Sequence, residues 1–115
     1  MTDREADGPG GNEVRLVGRV SGAPEEKVLP SGDRLWSFRV VVPRAAPRGR
    51  QSVDALECVA WSGRVRRSVA TWRDGDVVEL SGALRRRFYR TGGGTVSRVE
   101  VVAERARIIR RAATA

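Results

Sequence analysis

From Asn12 onward the chain alternates apolar and polar positions in short runs separated by turn residues. Val14, Leu16, Gly18 and Val20 share one parity and Arg15, Val17 and Arg19 the other, the period of a half-buried strand. Residues 21–33 carry Pro24, Pro30 and Gly32 and read as a loop, with Pro30-Ser31-Gly32-Asp33 a strong turn signal. A second strand follows over Arg34–Val42. Trp36, Phe38, Val40 and Val42 take its core face, and Leu35, Ser37, Arg39 and Val41 the other. Residues 43–52 (PRAAPRGRQS) are expected to be a basic, flexible loop. Val53–Trp61 is a third strand, with Leu56, Cys58 and Ala60 on one side and Ala55, Glu57, Val59 and Trp61 on the other. The period then changes: Val65, Val69 and Trp72 stand four and three apart, an apolar stripe on a short helix that Ser62 is placed to cap. Asp74-Gly75-Asp76 turns the chain into a fourth strand, Val77–Leu84, extended by residues 85–90. Thr91-Gly92-Gly93-Gly94 is a hairpin loop, and residues 95–109 contain the fifth strand.

The predicted order is β-β-β-α-β-β. Five strands with one short helix between the third and fourth is the chain order of the OB fold, an all-β, partly open Greek-key barrel. The domain is expected over residues 12–109, between a disordered N-terminal tail (1–11) and a short C-terminal tail (110–115). A chain of 115 residues holds one such domain.

Charge adds a partner to this picture. Lys+Arg number 22 against 14 Asp+Glu, a formal +8, and Lys27 is the only lysine. A guanidinium fork suits phosphate and stacks on flat rings, so a polyanion such as nucleic acid is the expected ligand. Candidate chemistry is thin by comparison. Cys58 is the sole cysteine and histidine is absent, which excludes Cys/His zinc sites and Cys–His or Ser–His nucleophiles. Glu25 and Glu26 are adjacent on a loop, Asp74 and Asp76 flank a turn glycine, and Gly92–Gly94 lacks the helix and lysine of a phosphate-binding loop. No catalytic residue, metal or cofactor is expected. The acidic N-terminus is no signal peptide, and no apolar run approaches the ~20 residues of a membrane helix. A cytoplasmic, nucleoid-associated location is expected.

The segment Asn12–Gly32 (NEVRLVGRVSGAPEEKVLPSG) resembles the opening of bacterial single-stranded DNA-binding proteins, in Asn12, Val14, Leu16, Val17, Gly18, Pro24, Glu25, Pro30 and Gly32. Cys58-Val59-Ala60-Trp61 is similar to that family's third strand, which ends in an aromatic residue. Gly75, Gly82, Leu84, Arg85 and Arg87 fit its fourth, with Tyr89 at the aromatic position that follows. The resemblance runs from Asn12 to about Arg107. It implies an OB fold, single-stranded DNA as partner, no catalysis, a role in replication, recombination or repair, and a homo-oligomer, usually a tetramer. Family members often carry further aromatics where Ala55 and Ala46 stand here, and many continue into a linker with an acidic tip that recruits other proteins. The sequence stops at Arg110-Arg111-Ala112-Ala113-Thr114-Ala115, so no recruitment by that route is expected.

An unpaired strand held without regard to sequence needs cations for phosphates and flat side chains for bases. Trp61 is the first stacking candidate. Tyr89 and Phe88 are neighbours on one strand, so one is expected to reach the ligand, Tyr89 by the resemblance, while the other packs. Arg85, Arg86, Arg87 and Arg90 cluster beside them; Arg39 lies opposite Phe38; Arg44, Arg48 and Arg50 are expected on the second loop. Trp36 and Trp72 are assigned to the core. Two other readings remain open: an RNA-binding or primosomal accessory OB protein, and a module whose basic face docks an acidic protein.

Overall fold

The computed structural model describes residues 9–113, the side chains of residues 47 and 48 aside. Strands β1 (Val14–Val20), β2 (Glu25–Val28), β3 (Arg34–Arg48) and β4 (Gln51–Ala60) precede helix α1 (Gly63–Val69), and β5 (Val77–Thr91) and β6 (Gly94–Arg110) follow it. The sheet order is β1-β5-β6-β4-β3-β2. It closes where Arg19 and Val20 of β1 meet Val41 and Val40 of β3. β1, β3, β4, β5 and β6 are thus the five strands of an OB-type barrel, with β4 and β6 paired in parallel (Cys58 with Val101, Val59 with Val102).

β2 was expected to be loop. Its four residues are all exposed and pair only with β3, as a charged addition to the sheet edge that carries no alternating apolar signal. The expected loop over residues 43–52 is instead a hairpin. β3 runs on to Arg48, which pairs with Gln51 across a Gly49-Arg50 turn, and the register is irregular between Pro43 and Arg48, where prolines cannot donate to the ladder. The N-terminal tail assigned to residues 1–11 lies mostly outside the described residues. At the other end Arg110 still belongs to β6, and Arg111 and Ala112 after it are tied down. Arg111 Nη1 and the Ala112 N–H donate to Asp76, at 2.9 and 2.7 Å.

The barrel interior holds Val20, Phe38, Val40, Cys58, Ala60, Val78, Leu80, Val101 and Ala103, and α1 closes one end with Val65 and Val69. Trp72 joins them, its ring edge-to-face with Phe38 at 5.2 Å and 87°. Ser62 caps α1 as its position predicts, its hydroxyl accepting from the Val65 N–H at 3.3 Å. Gly82 lies beside a register break in β5–β6, and a Cβ there would collide with the Val102 carbonyl oxygen. The barrel bends at that point because only hydrogen occupies the space.

Candidate nucleic-acid interface

Pleating sends alternate residues of each strand to the barrel's outer face, and register decides which of them meet. In β3 and β4 the outward set includes Ser37 opposite Val59 and Arg39 opposite Glu57. Val59 sits in register with Val102 of β6, and Val102 with Ala83 of β5. From there the same face continues along the β5–β6 hairpin through Arg85 opposite Glu100, Arg87 opposite Arg98 and Tyr89 opposite Val96. One surface therefore carries Arg39, Arg85, Arg87, Arg98 and Tyr89, floored by the buried Val59 and Ala83.

The arginines on it are unequally engaged. Arg39 Nε donates to Glu57 Oε2 at 2.6 Å, and Arg87 Nε lies 3.1 Å from Oε1 of the buried Glu100. Arg87 Nη1 is buried with no hydrogen-bond partner. Such a donor is costly until an acceptor reaches it, and a phosphate oxygen or base carbonyl supplies one. The Arg87 and Arg98 guanidinium carbons stand 5.8 and 5.9 Å from the centroid of the Tyr89 ring. Ring and cations thus form one unit suited to a base and its phosphate.

Trp61 follows the last residue of β4 and stands next along from Ala60, which pairs with Trp36. It is half-buried, and among the described residues it is not one of the side chains packed on the core. Trp36 is: it packs against the core, as expected, and is half-buried. A groove of about 310 Å3 runs beside Arg39 and Glu57, walled by Ser21, Gly22 and Ala23 of the β1–β2 connection and by Lys27.

The remaining predicted residues divide. Arg86, Phe88 and Arg90 have the opposite parity from Tyr89 and lie on the other side of the hairpin. Phe88 was the member of its pair expected to pack, and it is 65% exposed, because the arm projects past the end of the barrel and has no core beneath it. Arg86 Nη1 bonds Ser97 Oγ at 3.1 Å. Arg44 is held by Asp54 at 2.8 Å, which raises its pKa, chiefly through the hydrogen bond and then through charge. Arg50 sits in the turn of the β3–β4 hairpin, and Arg48 is described only by its backbone, at the strand end. Arg98 was missed. Counting back from the Gly92-Gly93 turn pairs it with Arg87, so the signal was present in the hairpin register.

Cys58 lies under this face, and burial first, with Glu57 and Glu100 adding to it, pushes its thiol up to about 12. It is a packing residue and no nucleophile at neutral pH.

A five-stranded Greek-key barrel with a short helix after its central hairpin, carrying arginines and aromatic rings on one outer face, defines the OB class. The chain belongs to the single-strand binding protein family, whose family model matches residues 11–109. It is 30% identical over 96 residues to a single-stranded DNA-binding protein of Oceanobacillus iheyensis, covering 81% of this chain and 60% of that protein. With single-stranded DNA-binding protein 1 of Streptococcus agalactiae serotype III it shares 31% over 107 residues, 90% of this chain and 65% of the other. The chain thus spans about three fifths of the length of such relatives. Among solved structures, the Plasmodium falciparum SSB complex with ssDNA superposes with a TM-score of 0.68 at 21% identity, over 90% of this chain and 96% of that one, which supports the fold.

Proposed function

We propose that this protein binds and protects single-stranded DNA without regard to sequence, in replication, recombination or repair. The observation that carries the reading is the Tyr89 ring with Arg87 and Arg98 within 5.9 Å of it, on the same face as Arg39. A base stacks on any aromatic ring whatever its identity, and a guanidinium beside the ring takes the adjoining phosphate. The names of the relatives point to the same ligand. Trp61 supplies a second platform at the head of α1, Arg85 a further cation, and Arg44 and Arg50 lie on the β3–β4 hairpin, with Arg48 at the end of β3. Arg86, Arg90 and Phe88 belong to the rear of the β5–β6 arm and play a lesser part.

Competition between unpaired DNA, duplex DNA and RNA oligonucleotides of equal length tests this. Unpaired DNA of any sequence is expected to displace a labelled oligo-dT, and duplex DNA is not. A preference for RNA would move the protein to the RNA-binding reading. No retention on either would favour docking of an acidic protein.

The protein also functions, on this proposal, as a homo-oligomer. Phe88, Leu84 and Val99 are 65%, 45% and 45% exposed and share one side of the hairpin arm, an apolar stripe that a second copy would cover. Mass measured in solution is expected to be a multiple of 12.6 kDa.

A further inference from the structure

Beyond Trp61 the chain turns through Ser62 into α1, and the start of that helix opens a second recess on the barrel. A cleft of about 300 Å3 is lined by Glu26, Trp36, Gly63, Arg66, Arg67 and Ala70. Gly63 lines it, two residues past Trp61 in the chain. A Cβ placed on Gly63 would stand 3.3 Å from Arg67 Nη1 and 3.8 Å from Arg66 Nη2, so both guanidinium groups converge on one point. Neither forms an ion pair among the described residues, whereas Arg15, Arg39, Arg44, Arg87, Arg107 and Arg111 all do. Arg66 Nε is buried with no hydrogen-bond partner. The one carboxylate in the cleft, Glu26, faces Arg34 at 3.8 Å instead. Two cations without an ion-pair partner, a buried donor lacking an acceptor and a half-buried indole thus share a recess that includes Gly63, two residues past Trp61 in the chain.

We propose that this cleft is an additional nucleotide subsite, in which Trp36 stacks a base and Arg66 and Arg67 hold its phosphate. It carries an unpaired strand past Trp61 and around the end of the barrel. The proposal rests on the reading of the outer face given above, because the strand must arrive from there. Its chemistry is the same, a π-face for any base and guanidinium donors for phosphate. Unlike Arg39 and Arg87 on the outer face, the cleft's arginines need not give up a carboxylate to bind.

The test is length dependence. Labelled oligo-dT of roughly 8 nucleotides falls within, and of roughly 30 well beyond, the ~4–16 that one OB domain covers. The double variant Arg66→Gln/Arg67→Gln is expected to bind the short oligonucleotide like the parent and the long one about tenfold more weakly. Two lost phosphate contacts should also make its salt slope on the long one shallower by about 1.4, at ~0.7 per phosphate. Equal loss at both lengths, or no loss at either, overturns the subsite. A second readout uses Trp61→Phe, in which the remaining indoles are Trp36 and the core residue Trp72. Its emission should be quenched by the long oligonucleotide and not by the short one, and unchanged emission with the long one also overturns the proposal. Trp61→Ala binding the short oligonucleotide as well as the parent would instead strike at the outer face, a different failure from the length contrast.

Discussion

Single side chains of this protein are expected to do separable work, as Trp61 and Asp76 illustrate. Trp61 is half-buried yet stays off the core, so its removal should leave the fold intact. Trp61→Ala is expected to weaken oligo-dT binding by the ~1–3 kcal/mol of one stacked base with little change in melting temperature, measured by anisotropy and calorimetry. Asp76 is the reverse case, a buried carboxylate whose partners are all structural. It is 1% exposed. Burial works against its ionisation, but the N–H groups of Ala112 and Arg73 and the Arg111 guanidinium outweigh that and hold its pKa below the ordinary carboxylate value. A carboxylate depressed in the folded state contributes stability above its unfolded pKa, near ~3.9, and loses that contribution as pH falls through the folded value. Glu79, depressed by Arg107 and Arg15, acts in the same direction. Thermal stability should therefore fall as the solution is acidified below about pH 4. Asp76→Asn should lose about 1.5–3 kcal/mol at neutral pH, the range for hydrogen bonds to a charged group, and flatten the acid limb.

Elements decide where those side chains point, and here the sequence was legible in some places and opaque in others. Strand parity put Arg39 opposite the core residue Phe38, and the 4–3 spacing of Val65, Val69 and Trp72 located α1 with its Ser62 cap. Those signals come from burial, which is what alternation records. β2 left no such trace because all four of its residues are exposed. The hairpin arm over residues 43–52 was hidden by Pro43 and Pro47, which mimic a loop in composition while the backbone stays extended. Phe88 was expected to pack because strand neighbours point to opposite faces and Tyr89 was assigned to the ligand; the strand had outrun its core. Arg98 needed the hairpin register as well as the pattern. Bends also belong to this scale. Gly82 admits no side chain beside the Val102 carbonyl, so Gly82→Ala should cost about 1–3 kcal/mol through overpacking, read as a fall of several degrees in melting temperature. Tyr89→Ala leaves the arm paired by its backbone and should weaken DNA binding without that fall.

At the scale of the whole molecule a formal charge of +8 overstates what is free to meet a polyanion. Arg39, Arg44 and Arg87 are each engaged by a carboxylate, and a phosphate must compete with Glu57, Asp54 or Glu100 for them. With alanine at positions 46 and 55 the face has few rings beyond Trp61 and Tyr89, so on the proposed function electrostatic contacts are expected to carry more of the affinity. On the function proposed above, one outer face, cationic and ring-bearing, holds an unpaired strand in any order of bases. The most direct measurement is the affinity of the intact protein for labelled oligo-dT, oligo-dC and a mixed-sequence oligonucleotide over a series of salt concentrations. Affinities within a few-fold of one another are predicted, all falling with salt along a common log–log slope of about −0.7 for each phosphate engaged. Affinity for one sequence alone, or binding that salt leaves unchanged, would contradict the account.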